Sequence, residues 1–90
     1  MSYINFIERI GIINNPKVIF STGDPGYPGT ALEVYDENRK TDLLHFIVDR
    51  SGERQILIFG NGKPYRISLD NLEQLIKEAK EKVNYIKGYS

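Results

Sequence analysis

The chain contains no cysteine and no tryptophan, and only one methionine and one histidine. Without cysteine there is no disulfide, no thiolate metal site and no thiol nucleophile. That absence fits a reducing cytosol. The single histidine, His45, stands between Leu44 and Phe46 and has no partner set with metal-ligand spacing, so neither a metal nor a cofactor is expected. A Ser–His–Asp arrangement would have to draw on Asp42 or Asp49, and no nucleophile-elbow motif accompanies them. His45 therefore reads as a structural residue, and the chain as a non-enzyme. No unbroken apolar run approaches the roughly 20 residues of a membrane helix. The first residues, MSYINFIERIGIINN, lack the basic start and apolar run of a secretory leader. A soluble, cytoplasmic protein without a membrane segment is the expectation.

Net charge is also missing: 12 basic residues balance 12 acidic ones over 90 residues. A non-specific nucleic-acid binder usually carries a clear basic excess. The balance is uneven along the chain. Residues 1–49 hold seven acids against four bases, and residues 50–90 hold eight bases against five acids. An ordinary mixed surface accounts for this, although a local acidic or basic face is compatible with it. The length suits one small domain, residues 1–90, with a single core.

What is present is a regular alternation of apolar segments and turn chemistry. In SYINFIERIG, Tyr3, Ile4, Ile7 and Ile10 recur at helical spacing, with Ser2 to cap and Gly11 to stop. Asn14-Asn15-Pro16 marks a turn. Five strands follow: KVIFST (17–22), TALEVYD (30–36), DLLHFIVDR (42–50), RQILIFG (54–60) and PYRIS (64–68). The links between the later strands are ENRKT, Ser51-Gly52 and Asn61-Gly62, the last a strong hairpin signal. Short links between successive strands predict an antiparallel meander. From Ser68 onward, Leu69, Leu72, Leu75, Ile76, Ala79, Val83 and Ile86 form one stripe of 3.6 period. Ser68 is the expected N-cap, Ile67 and Leu72 a hydrophobic staple, and Gly88 the stop. The predicted fold class is α+β: a short N-terminal helix, a five-stranded antiparallel meander sheet and a long C-terminal amphipathic helix packed on it.

Strands 42–50 and 54–60 are apolar on both faces, whereas a sheet with one wet face alternates. Both faces there must be covered. The C-terminal helix covers one. The N-terminal helix, a curled sheet or a second subunit has to cover the other, which makes a homodimer one of the readings.

Several motifs resolve into ordinary structure. Gly60-Asn61-Gly62-Lys63 lacks the spacing, the following Ser or Thr and the helix of a phosphate loop, and Pro64 follows instead. Asp36, Glu37 and Asp42 read as loop acids. Tyr35, Arg54, Lys63, Tyr65 and Arg66 suit a base-stacking sheet face with phosphate contacts, and equally suit core and edge packing. The most unusual stretch is Gly23-Asp24-Pro25-Gly26-Tyr27-Pro28-Gly29. It has no lysine and no following helix, so it is no nucleotide loop. It reads as a stiff loop that presents Tyr27 to a partner, or as a hairpin connection whose tyrosine packs back on the sheet. A two-residue turn would have served for connection alone.

The run LLHFIVDRSGERQILIFGNGKPYRISLDNLEQLIKEAKEKV resembles the hairpin–hairpin–helix ending of small bacterial immunity proteins of contact-dependent inhibition systems. The same order is similar to the Whirly type of single-strand DNA-binding fold. The likeness spans roughly residues 17 to 86 and rests on element order and pattern. It implies a cytoplasmic, non-enzymatic protein that binds and neutralises a cognate toxin domain. Asp24, Tyr27, Asp36, Glu37 and Asp42 are the expected partner contacts. The loops that carry them lie at opposite ends of strand 30–36, so one interface would have to run along that strand. The alternative is a single-stranded nucleic-acid-binding module that uses Tyr35, Lys63, Tyr65 and Arg66. A third reading, a structural or oligomerisation subunit, follows from the doubly apolar strands.

Overall fold

The computed structural model describes residues 3–13, 16–22, 26–36, 41–59, 62 and 64–86, with side chains from residue 6 onward. The order is α1 (Tyr3–Glu8), β1 (Ile12–Ile13), β2 (Lys17–Ser21), β3 (Ala31–Asp36), β4 (Thr41–Val48), β5 (Arg54–Ile58), β6 (Arg66–Ile67) and α2 (Leu69–Lys82). The class is α+β, and β2-β3-β4-β5 form a four-stranded antiparallel meander.

The fifth strand of the expected meander does not join it. Only Arg66–Ile67 is extended, and it pairs in parallel with Ile12–Ile13 in a separate two-stranded sheet. Among the described residues strands 54–60 and 64–68 do not pair; Asn61 of the expected hairpin turn lies outside them, and Gly62 has a positive φ of 78°. The reason lies at the N-terminus. The helix ends at Glu8, and a turn frees the carbonyls of Ile10 and Gly11, which accept bonds from Arg66 Nε (2.9 Å) and Arg66 N–H (3.0 Å). A two-residue strand carries no periodicity, so β1 leaves no pattern in the sequence. The Ser51-Gly52 turn does form: Gly52 has φ 88°, and Asp49 and Glu53 close it by an N–H···O bond of 2.9 Å.

Helix α2 starts as expected, with the Ser68 hydroxyl accepting from Asn71 N–H at 3.1 Å. It ends earlier than the stripe suggests. Val83 is the C-cap in extended geometry, and its N–H bonds to Ala79 O. Gly88, the expected stop, lies outside the described residues, as do Asn14 and Asn15. Leu75, Ala79 and Val83 are buried, and Leu72 and Ile76 pack against them. The first member of the stripe, Leu69, is 76% exposed.

The core lies between α2 and one face of the sheet. Strand register puts Leu32, Val34, Leu44, Phe46 and Val48 on that face, and all are buried. Burying a large aliphatic side chain contributes about 1.5–3 kcal/mol. Ile13, Tyr65 and Ile67 from the small sheet and its approach pack on the same cluster. Strand β4 is covered, chiefly on one face: Leu43, Leu44, Phe46 and Val48 are buried in the core, and on the other face His45 is buried while Ile47 is only partly so. Strand β5 is not. Every one of its residues is exposed, so the expected double cover stops at β4. Among the described residues the edge strand meets one neighbour only, and α2 sits over β3 rather than over the edge.

Candidate functional site

Strand β4 contains a bulge. Val34 lies opposite Leu44, but Tyr35 lies opposite Asp42, so Leu43 is an extra residue in the ladder. In a regular strand, residues three apart point to opposite faces. The bulge reverses that parity and brings Asp42 and His45 to the same face, away from α2. Asp42 Oδ1 lies 3.2 Å from His45 Nε2. The extra residue keeps its carbonyl occupied: Leu43 O accepts from Phe59 N–H (3.1 Å) and from the Tyr65 hydroxyl (3.2 Å).

The Gly-Pro loop supplies the other partner. The Tyr27 hydroxyl lies 2.5 Å from His45 Nδ1, with the two rings edge to face at 5.9 Å and 89°. The Phe59 ring closes on the imidazole from another side at 4.6 Å. His45 is the buried polar side chain of the described core. Donors and acceptors match when the Tyr27 O–H donates to Nδ1 and Nε2–H donates to the Asp42 carboxylate. Both ring nitrogens are then satisfied, as burial requires. Asp42 stays 55% exposed at the rim.

The loop is held there by its C-terminal end. Residues 28–30 run antiparallel to residues 84–86, with a bridge between Gly29 and Tyr85. Thr30 N–H donates to Asn84 O (3.0 Å), and Ile86 N–H to Pro28 O (3.2 Å). The Thr30 hydroxyl donates to Lys82 O (2.6 Å) and accepts from Asn84 N–H (2.7 Å). A side chain at position 29 would collide with the Asn84 carbonyl oxygen and with Val48 Cγ1. The glycine is required by this close approach.

The predicted contacts separate as follows. Tyr27 and Asp42 are brought together through His45, although their loops leave opposite ends of β3. Asp36 pairs with Thr41, and strand alternation puts it on the α2 side. Asp24 and Glu37 lie outside the described residues. The face that holds Tyr27 and Asp42 also carries Glu33, directly opposite His45, and Tyr35, opposite both Asp42 and Lys17. Of the nucleic-acid set, Tyr35 lies on this face and Lys63 is outside the described residues. Tyr65 and Arg66 spend their polar groups inside the fold, on Leu43 O and Ile10 O. Burial raises the Tyr65 phenol above its ordinary pKa.

Sequence reasoning missed His45 as the hub. The available signal was a histidine inside a doubly apolar strand with an acid three positions earlier. A period of two assigns that acid to the other face, and only the bulge corrects it. Among the described residues no group of three or more His, Cys, Asp or Glu side chains is placed to hold a metal ion, and no helix is long and apolar enough to cross a membrane. The chain matches no protein-family model, no curated protein and no solved structure.

Proposed function

We propose that this chain is a non-enzymatic immunity or inhibitor protein, which binds and neutralises a protein toxin domain through the sheet face that carries Tyr27, Glu33, Tyr35 and Asp42. One observation carries the reading. The β4 bulge and the clamped Gly-Pro loop gather aromatic rings and carboxylates on one face, around a buried imidazole. Such a face is preorganised, because the Tyr27 ring is already held back against His45 and needs no further ordering. Carboxylates at its rim favour a basic protein surface and speed encounter with it. The resemblance of the strands-then-helix order to contact-dependent inhibition immunity proteins points to a cytoplasmic toxin domain as that partner.

The nucleic-acid reading is the weaker one on the same geometry. Glu33 and Asp42 flank Tyr35 and repel phosphate, while Tyr65 and Arg66 are already bonded within the fold. The test is direct binding by calorimetry to the toxin domain encoded beside this gene. Glu33→Lys with Asp42→Lys should weaken that binding by at least about tenfold, the scale of a lost interfacial charge pair. Unchanged affinity would remove this face as the interface. A solitary gene without a neighbouring toxin, or salt-dependent retention of single-stranded DNA, would overturn the reading itself.

A further inference from the structure

We propose that two copies of this chain pair through the free edge of β5, antiparallel about a two-fold axis at Ile56, into one continuous eight-stranded sheet. In the ladder with β4, Phe59 N–H reaches Leu43 O, and Asp49 N–H reaches Glu53 O. In an antiparallel pair the bonding residues alternate. The odd-numbered positions therefore turn their amides to β4, and Arg54, Ile56 and Ile58 turn theirs outward. A two-fold axis at Ile56 sets Ile56 against its own copy and Arg54 against the partner's Ile58, so every outward N–H meets an outward carbonyl over the whole strand.

The side chains fit the same register. Ile58 is 69% exposed and Ile56 44%, and both lie on the α2 side of the sheet. Directly opposed residues share a face, so the partner's Ile58 arrives beside Arg54. There a pocket of about 160 Å³ opens between β5 and α2, lined by Phe46, Arg54, Ile56, Ile76, Ala79 and Val83. Arg54 is held at its mouth by bonds to Val83 O (2.8 Å) and Asn84 Oδ1 (3.0 Å). On the other face, Leu57 meets Gln55. The only charge in the strand, Arg54, faces an isoleucine and not its own copy. The opposite edge of the sheet is blunted. β2 begins at Lys17 after Pro16, which has no N–H to offer, whereas β5 contains neither proline nor lysine. A single strand pair buries less than a standard interface, so the dimer is weak and concentration-dependent.

The cysteine-free sequence allows a register test on the full chain. Sedimentation from micromolar to millimolar concentration should show a monomer–dimer equilibrium. Ile58→Lys should weaken it at least about tenfold, since a charge replaces the anchor in its pocket. Under mild oxidation Ile56→Cys should form a disulfide dimer, because bonded antiparallel partners place Cα atoms about 5.5 Å apart, within disulfide range. Ile58→Cys should not, its copy being four residues away along the strand, about 14 Å. Circular dichroism melts check that each variant folds. A monomer at every concentration overturns the proposal, even if the edge takes up an unrelated extended peptide. So does a dimer indifferent to Ile58→Lys, or cross-linking through Phe20→Cys on β2 in place of Ile56→Cys.

Discussion

At the scale of single residues, the chemistry of this protein concentrates at His45. A buried imidazole on the sheet is tolerated because Tyr27 and Asp42 each satisfy one ring nitrogen. Tyr27→Phe keeps the ring packing but leaves Nδ1 buried without its donor, and should cost about 1–2 kcal/mol in urea denaturation. An equal stability would show that the phenol is not bonded in solution. Asp49 is the second residue of this kind. Its carboxylate accepts from the Ser51 hydroxyl (2.6 Å), Ser51 N–H (2.9 Å) and Glu53 N–H (3.0 Å). The Ser51 hydroxyl and then the Glu53 amide hold its pKa below the ordinary value of 3.8. The folded pKa being the lower one, the turn's stabilisation is complete above the unfolded value. It is lost as the pH falls below that ordinary value and through the folded pKa. Amide exchange at Ser51 and Glu53 should accelerate over that acid window in the native chain, and lose this dependence in Asp49→Asn.

Elements here are defined as much by what stops them as by propensity. The stripe Leu69 to Ile86 has one helical period, yet the helix ends at Lys82 because the following backbone has a better partner. Asn84 and its neighbours pair with residues 28–30, and Thr30 alone bonds Lys82 O and both the N–H and C=O of Asn84. The Gly-Pro loop is therefore a clamp on the end of α2 as well as the support of Tyr27. Gly29→Ala forces a methyl group into the Asn84 carbonyl and Val48, and overpacking of that kind costs about 1–3 kcal/mol. Its melting temperature should fall accordingly, with the Tyr27–His45 contact loosened in the same variant. A neutral Gly29→Ala would show that the two segments do not meet.

At the scale of the whole molecule, one helix is too little cover for four strands. Helix α2 seals β3 and β4 and leaves Ile56 and Ile58 of β5 in water, with Leu57 exposed on the opposite face and Ile19 and Phe20 on the other edge. Pairing of β5 with its copy accounts for the first group. A dimer is stabilised by mass action, so the melting temperature of the native chain should rise with protein concentration, and that of Ile58→Lys should not. The two-fold axis at β5 leaves the face of Tyr27, Glu33, Tyr35 and Asp42 open in each copy, so a dimer would offer a partner two equivalent surfaces.

The sequence by itself determined the α+β class, the four strands of the meander, the N-cap at Ser68 and the Gly52 turn. Each depends on period, cap or turn chemistry, which neighbouring residues encode. Tertiary structure alone decided that residues 66–67 pair with 12–13, that Val83 ends the helix, and that Asp42 and His45 share a face. A two-residue strand has no period to read. A helix end set by a partner 54 residues away leaves only a continuing stripe in the sequence. A bulge shifts every later side chain by one face without changing the composition that announces the strand. For the same reason the purpose of GDPGYPG was undecidable from its own residues: the geometry that uses Gly29, Thr30 and Tyr27 is supplied by Asn84 and His45.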